Sequence, residues 1–235
     1  MDIRIPAADG EIDGYLAVPS GEGPFPAVVL IHDVFGLNQD AREITDRYAA
    51  AGYLALSPDL YSRGGMIRCV KRTFQDLFAR EGWAFADIEA ARTLVAGRDD
   101  ATGKVGVVGF CLGGGFALVA ASRDFDASAP YYGQLPKDLS ALDGACPIVG
   151  SFGGKDFSLR GAAAKLEAAL TERGIPHDVK EYPDAGHGFA NHYRPAPLAA
   201  LARITGMGYH EPSDSDAWRR VIAFFEEHLQ PSVLK

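Results

Sequence analysis

The chain has 235 residues, 47% of them hydrophobic and 23% charged, which is typical of one globular domain spanning residues 1–235. Its formal net charge of -8 lacks the basic excess that nucleic acid and anionic membrane surfaces require. No stretch approaches the roughly 18 consecutive apolar residues of a membrane span, and the N-terminus has no leader pattern. We therefore expect a cytoplasmic protein that binds neither nucleic acid nor membrane.

The first part of the chain predicts strands alternating with helices. Alternating or continuous apolar runs indicate strands at 2–6, 12–18, 27–31 and 53–56. The Asp9-Gly10 pair between the first two predicts an antiparallel pair at a sheet edge. Helical spacing predicts a helix over about 38–51. Beyond a loop at 59–67, a longer helical pattern is broken near Gly82, which predicts two helices.

The second part repeats this alternation and predicts the fold class. Strands are expected at 105–108, 127–132, 147–152 and 177–182, with a helix over 159–173. A last helix is expected to begin at Ser213 or Asp214. Residues 191–212 are interpreted as a surface segment or lid, helical around 199–204. The pattern predicts an α/β fold whose mostly parallel, doubly wound sheet has helices on both faces.

The central strand leads into a turn that presents a cysteine. Gly109 and Gly113 lie two residues on either side of Cys111, where a strand passing sharply into a helix leaves no room for side chains. The helix N-terminus supplies unpaired N–H groups that favour an anionic nucleophile. Two other interpretations remain open, a small buried cysteine and a phosphate-binding turn, although neither the P-loop nor the dinucleotide spacing is present.

Two more candidates follow Cys111 at predicted strand ends. Asp156 and His187 complete the chain order nucleophile, acid, histidine of the α/β-hydrolases. His187 would take the thiol proton and Asp156 would orient the imidazole, while the N–H groups of Leu112 and Val34 would bind the oxyanion. Taken singly, Asp156 could cap a helix and His187 could be a loop histidine. Asp184 is a rival acid.

The cysteines give no sign of a metal or a disulfide framework. Cys69, Cys111 and Cys146 are the three in the sequence, and no two have Cys-x-x-Cys spacing. We expect no zinc site, no disulfide framework and reduced thiols.

Several motifs together resemble the dienelactone hydrolase family, also called carboxymethylenebutenolidases. They lie at 33–38, 51–53, 58–61, 109–114, 153–156 and 185–187. The resemblance implies an α/β-hydrolase fold with a Cys111, Asp156 and His187 triad. It also implies a monomer or weak homo-oligomer that hydrolyses small esters or lactones with no metal and no cofactor. It also implies that Asp33, where the family typically has glutamate, tunes the nucleophile.

The substrate-binding positions depart from that family. Family enzymes acting on dienelactone have an arginine where this chain has Asn191, and Arg68 is the candidate for a second basic anchor. We therefore do not expect dienelactone itself as substrate. The candidate pocket walls, which are equally suited to the core, are Phe35, Tyr61, Tyr131, Phe189 and His192. The alternative function is a catalytically weak protein that uses Cys111 as a redox-sensitive or ligand-binding thiol.

Overall fold

The computed structural model describes residues 1–193 and 208–229. In these ranges the strands are β1 (Asp2–Ala7), β2 (Gly10–Ala17), β3 (Phe25–Ile31), β4 (Leu54–Pro58), β5 (Ala101–Phe110), β6 (Ala127–Tyr131), β7 (Ile148–Gly153) and β8 (His177–Tyr182). The α-helices are α1 (Gln39–Ala50), α2 (Met66–Ala79), α3 (Trp83–Ala96), α4 (Leu112–Ala120), α5 (Ala162–Glu172) and α6 (Glu211–His228). Short 3-10 helices lie at Leu139–Leu142 and Phe157–Leu159.

The strands form one sheet in the order β1-β2-β4-β3-β5-β6-β7-β8. The β1/β2 and β2/β4 pairs are antiparallel, and all later pairs are parallel. The predicted edge hairpin and mostly parallel sheet are therefore confirmed. Parallel pairing directs the carboxyl ends of β3 and β5 to β8 toward one edge of the sheet, where an α/β protein places its site.

Helices cover both faces, as the apolar runs predict. Successive strand residues point to opposite faces, so Val28 and Leu30 of β3 pack in one cluster with α1 and α6. Val29 and Ile31 pack in the other cluster with α3 and α4. Each fully buried Val, Leu or Ile side chain contributes about 1.5–3 kcal/mol, and this two-sided burial explains the continuous apolar sequence of β3.

Two predicted helix starts are wrong. The last helix begins at Glu211 with His210 as its N-cap, so Ser213 and Asp214 lie inside it. Pro212 does not delay the start, because the first turn of a helix tolerates the missing N–H. The helix predicted from residue 159 begins at Ala162, since Gly161 adopts φ +72° and separates it from the preceding 3-10 helix.

The segment predicted as a surface segment or lid lies partly outside the described residues, including its helix at 199–204. Among residues 1–193 and 208–229, none of the helices has the length and apolar content that a bilayer crossing requires.

Candidate active site

The turn between β5 and α4 forces Cys111 into an unusual backbone conformation. Cys111 has φ 54° and ψ -111°, which is strained for a residue with a side chain. A Cβ on Gly109 would lie 1.9 Å from the Gly113 carbonyl oxygen, and one on Gly113 would lie 2.2 Å from the Ile31 carbonyl oxygen. The flanking glycines are therefore required for close packing, as the sequence predicts. The Cys111 N–H donates to the Tyr131 carbonyl at 3.1 Å and ties the turn to β6.

His187 and Asp156 form a close pair beside this turn. The His187 Nδ1 lies 2.6 Å from Asp156 Oδ2. The other oxygen, Asp156 Oδ1, accepts the Ser158 N–H at 2.9 Å and the Ser158 hydroxyl at 2.6 Å. Burial alone would raise the pKa of Asp156, but the hydrogen bonds from His187 and Ser158 outweigh it and hold that pKa below its usual value. Asp156 is therefore held as a carboxylate facing the imidazole.

The Cys111 side chain completes this arrangement. Burial lowers the pKa of His187, but hydrogen bonding to Asp156 and to Cys111, together with their negative charge, raises it to about 10. The structure therefore brings together all three residues predicted as a triad. The rival acid Asp184 is exposed and pairs with Lys155 at 3.3 Å, away from the imidazole.

The two predicted oxyanion donors lie at the ends of neighbouring strands. Leu112 is the first residue of α4, so its N–H has no acceptor within the helix. Val34 follows β3, and its carbonyl accepts the Tyr61 hydroxyl at 3.1 Å. Next to it, the Phe35 N–H donates to Asp33 Oδ1 at 2.8 Å. These contacts fix the backbone of the loop after β3.

Asp33 is buried in this loop. Its pKa is raised to about 6, chiefly by burial, while the Phe35 N–H and the charge of His187 oppose the shift. Asp33 Oδ1 accepts the Phe35 N–H, and no hydrogen bond joins Asp33 to Cys111. The tuning role of Asp33 stays a prediction.

Two candidate substrate-binding residues line one cavity, and a third lies in another groove. Phe35 and His192 line a cavity of about 290 Å³ together with Asp40 and Tyr193. Arg68 lines a different groove of about 190 Å³, with Arg63, Arg72 and Trp83 among its walls. The structure therefore does not place Arg68 beside Cys111.

The remaining candidates are buried. Phe189 and Tyr131 are 0% and 2% exposed and belong to the core cluster, so the structure does not present them as pocket walls. Tyr61 is buried as well and supports the Val34 carbonyl instead. The Asn191 side chain accepts the Tyr132 hydroxyl at 2.6 Å and donates to Asp40 Oδ2 at 2.7 Å, which leaves it committed to internal contacts.

Sequence reasoning missed four residues that shape the site. Tyr132 packs its ring 5.2 Å from that of His187, and Ser158 donates to Asp156. Asp40 and Tyr193 line the cavity. Only Ser158 had a local signal, because a serine two residues after an aspartate commonly donates to its carboxylate. In the described ranges, histidine, cysteine and carboxylate side chains form no group of three or more suited to a metal ion.

Comparisons of the sequence and of the structure with known proteins lead to the same family. The sequence profile of the dienelactone hydrolase family matches residues 12–229. A protein of Methylorubrum extorquens provisionally named carboxymethylenebutenolidase is 28% identical over 97% of this chain and 80% of its own length. One from Escherichia coli with the same provisional name is 28% identical over 95% and 85%. The crystal structure of a Klebsiella pneumoniae protein provisionally named dienelactone hydrolase superposes with a TM-score of 0.82, at 25% identity, over 97% of this chain and 98% of that one.

Proposed function

Because the chain belongs to the dienelactone hydrolase family, we propose that it hydrolyses small carboxylic esters or lactones through Cys111, His187 and Asp156. The observation that carries this proposal is the strained turn that holds Cys111 beside a histidine whose Nδ1 lies 2.6 Å from Asp156. A buried structural cysteine would need neither the strained backbone nor an oriented base.

The residues divide the reaction into two steps. His187 Nε2 takes the thiol proton, and the Cys111 sulfur attacks the carbonyl carbon of the ester. The negative charge that develops on the carbonyl oxygen is stabilised by the N–H groups of Leu112 and Val34. As the C–O bond breaks, His187 returns the proton to the leaving oxygen and an acyl thioester remains. Water, deprotonated by His187, then attacks the thioester and releases the acid and the thiolate.

The electrostatics of the pair suit this mechanism. Burial lowers the pKa of His187, but Asp156 and Cys111 raise it to about 10, which favours the protonated imidazolium. Asp156 stabilises that positive charge and holds the ring, because both its oxygens are already engaged. His187 is therefore well suited to act as the general base that takes the Cys111 proton.

We also propose that dienelactone is not the substrate. Its carboxylate requires a basic partner, and position 191 offers a neutral amide that already bonds Tyr132 and Asp40. Arg68 lines another groove. Esters or lactones without that carboxylate fit the described side chains better.

Hydrolysis of a short activated aryl ester by the wild type and by Cys111→Ala tests the proposal. Removal of a triad nucleophile is expected to lower kcat by about a thousandfold or more. Cys146→Ala is the matched control, since this partly buried cysteine precedes β7 and has no contact with the triad. Equal activity of Cys111→Ala and wild type would contradict the triad and favour a redox-sensitive or ligand-binding thiol.

A further inference from the structure

The cavity lined by Phe35, Asp40 and Tyr193 lies between two loops that carry predicted catalytic groups. Phe35 comes from the loop that holds Val34, and Tyr193 follows the loop of His187. Their rings meet edge to face with centroids 5.7 Å apart. The Tyr193 hydroxyl lies 2.1 Å from where a Cβ on Gly188 would stand, so it rests directly on the residue after His187. The Tyr193 ring therefore joins this cavity to the loop that carries His187.

Two buried carboxylates give this region a negative charge. Asp40 lines the cavity and is 7% exposed. Its Oδ1 accepts the His192 N–H at 3.0 Å, and its Oδ2 accepts the Asn191 amide at 2.7 Å. Burial raises the pKa of Asp40, and these two neutral donors oppose that shift without cancelling the carboxylate charge. Asp33 is 5% exposed and likewise accepts a neutral donor, the backbone N–H of Phe35.

Positively charged partners for these carboxylates are few. Within the described ranges, neither Asp33 nor Asp40 forms an ion pair with a lysine or an arginine. The imidazoles of His187 and His192 are the titratable groups that oppose their charge. The two groups that donate hydrogen bonds to Asp40 are neutral, so an ionised Asp40 presents its negative charge to the cavity.

The charges of both carboxylates and of the nucleophile affect the same aromatic residue, Tyr193. The pKa of Tyr193 is raised first by burial and then by the charges of Asp33, Cys111 and Asp40. Tyr193 therefore lies within electrostatic range of the reacting sulfur and of both carboxylates. Aromatic rings attract cations at their faces, and a carboxylate in a buried site strengthens that attraction.

We infer that a substrate held at Cys111 extends into this cavity, that the cavity receives a cationic group, and that the preferred substrates are esters carrying an alkylammonium on the alcohol side. Phe35 and Tyr193 supply ring surface to the cation, and Asp40 supplies the opposite charge. A carboxylate or sulfonate at the same position meets repulsion from Asp40. This inference rests on the proposed ester hydrolysis and specifies its substrate class.

Three esters of matched shape test it. Acetylcholine is compared with its neutral isostere, in which carbon replaces nitrogen, and with an acetate ester of similar length that ends in a sulfonate. Acid release is followed by titration at constant pH, near pH 8, and kcat/KM is obtained for each ester. We expect acetylcholine to exceed the neutral isostere by about tenfold and the sulfonate by more.

Variants test whether the preference for cationic esters depends on this cavity. Asp40→Asn removes the charge and is expected to bring the cationic-to-neutral ratio of kcat/KM close to one. Asp46→Asn is the matched control, because Asp46 lies on the same helix and bonds the exposed Tyr15 hydroxyl instead. Its ratio is expected to stay unchanged. If Asp40→Asn does not fold, Phe35→Leu serves in its place and is expected to lower the ratio severalfold.

The outcomes separate the two proposals. Equal or faster hydrolysis of the neutral or the sulfonate ester, still dependent on Cys111, overturns the cationic preference and leaves ester hydrolysis standing. An unchanged ratio in both Asp40→Asn and Phe35→Leu also overturns the assignment to this cavity. Absence of Cys111-dependent hydrolysis of all three esters overturns the proposed function, and the inference with it.

Discussion

Asn191 joins two elements that carry the site, and its replacement gives a sharp prediction. Asn191 is 3% exposed, accepts the Tyr132 hydroxyl at 2.6 Å and donates to Asp40 Oδ2 at 2.7 Å. Asn191→Ala leaves both of these buried groups without their partner. An unpaired buried polar group costs about 1–3 kcal/mol, and a charged one lies at the upper end. We therefore expect the free energy of unfolding to fall by about 2–6 kcal/mol.

Urea denaturation followed by circular dichroism measures this change. Tyr132→Phe is expected to lose about half as much, since it leaves only the Asn191 carbonyl oxygen unpaired. Gln75→Ala is the matched control, because Gln75 is an exposed amide on α2 and its loss should cost less than about 0.5 kcal/mol. A loss below about 1 kcal/mol in Asn191→Ala, with a large fall in kcat/KM, would refute the structural role and restore Asn191 as a substrate-binding residue.

Three further outcomes are expected. Gly109→Ala should fail to fold or lose more than about 4 kcal/mol in its free energy of unfolding, because the new Cβ would stand 1.9 Å from a backbone oxygen. Gly64→Ala, whose Cβ would have its nearest neighbour at 3.4 Å, should fold and melt like the wild type. Burial raises the pKa of Asp33 from 3.8 to about 6. The protonated carboxyl therefore contributes fully to stability below the unfolded-state pKa of 3.8, and this contribution is lost as the pH rises through 6. Between about pH 4 and about pH 7, Asp33→Asn should therefore gain up to about 3 kcal/mol relative to the wild type in denaturation experiments, and a constant difference would contradict this. Ser158→Ala removes a 2.6 Å hydrogen bond to Asp156 and should lower kcat about tenfold at unchanged KM in steady-state assays, while full activity would show that this bond does not position the acid.

The sequence predicts the elements whose signals are local. Gly109 is required by a backbone contact with Gly113, four residues away, and the run of Val28 to Ile31 reflects burial on both faces of one strand. Such patterns are visible in short windows of sequence. They are also sufficient to place Cys111, Asp156 and His187 at strand ends on one edge of the sheet.

Other features depend on contacts between distant parts of the chain. Asp40 and Asn191 are 151 residues apart, yet they share a hydrogen bond, so Asn191 gives no local sign that it is buried. Phe189 and Phe35 are both aromatic residues near catalytic positions, but only packing decides that the first fills the core and the second lines the cavity. Hydrophobic character alone cannot distinguish a pocket wall from a core residue.

Trapping the acyl group on the protein tests the central claim most directly. The wild type is mixed with a short activated aryl ester, quenched in acid during the first turnover, and digested for mass spectrometry, with Asp156→Asn as a variant expected to lose the acyl group more slowly. Nucleophilic catalysis predicts a single acyl group on the peptide that contains Cys111, and none in Cys111→Ala. Turnover without an acyl group on Cys111, or with acylation confined to Cys69 or Cys146, would contradict the assignment of Cys111 as the nucleophile.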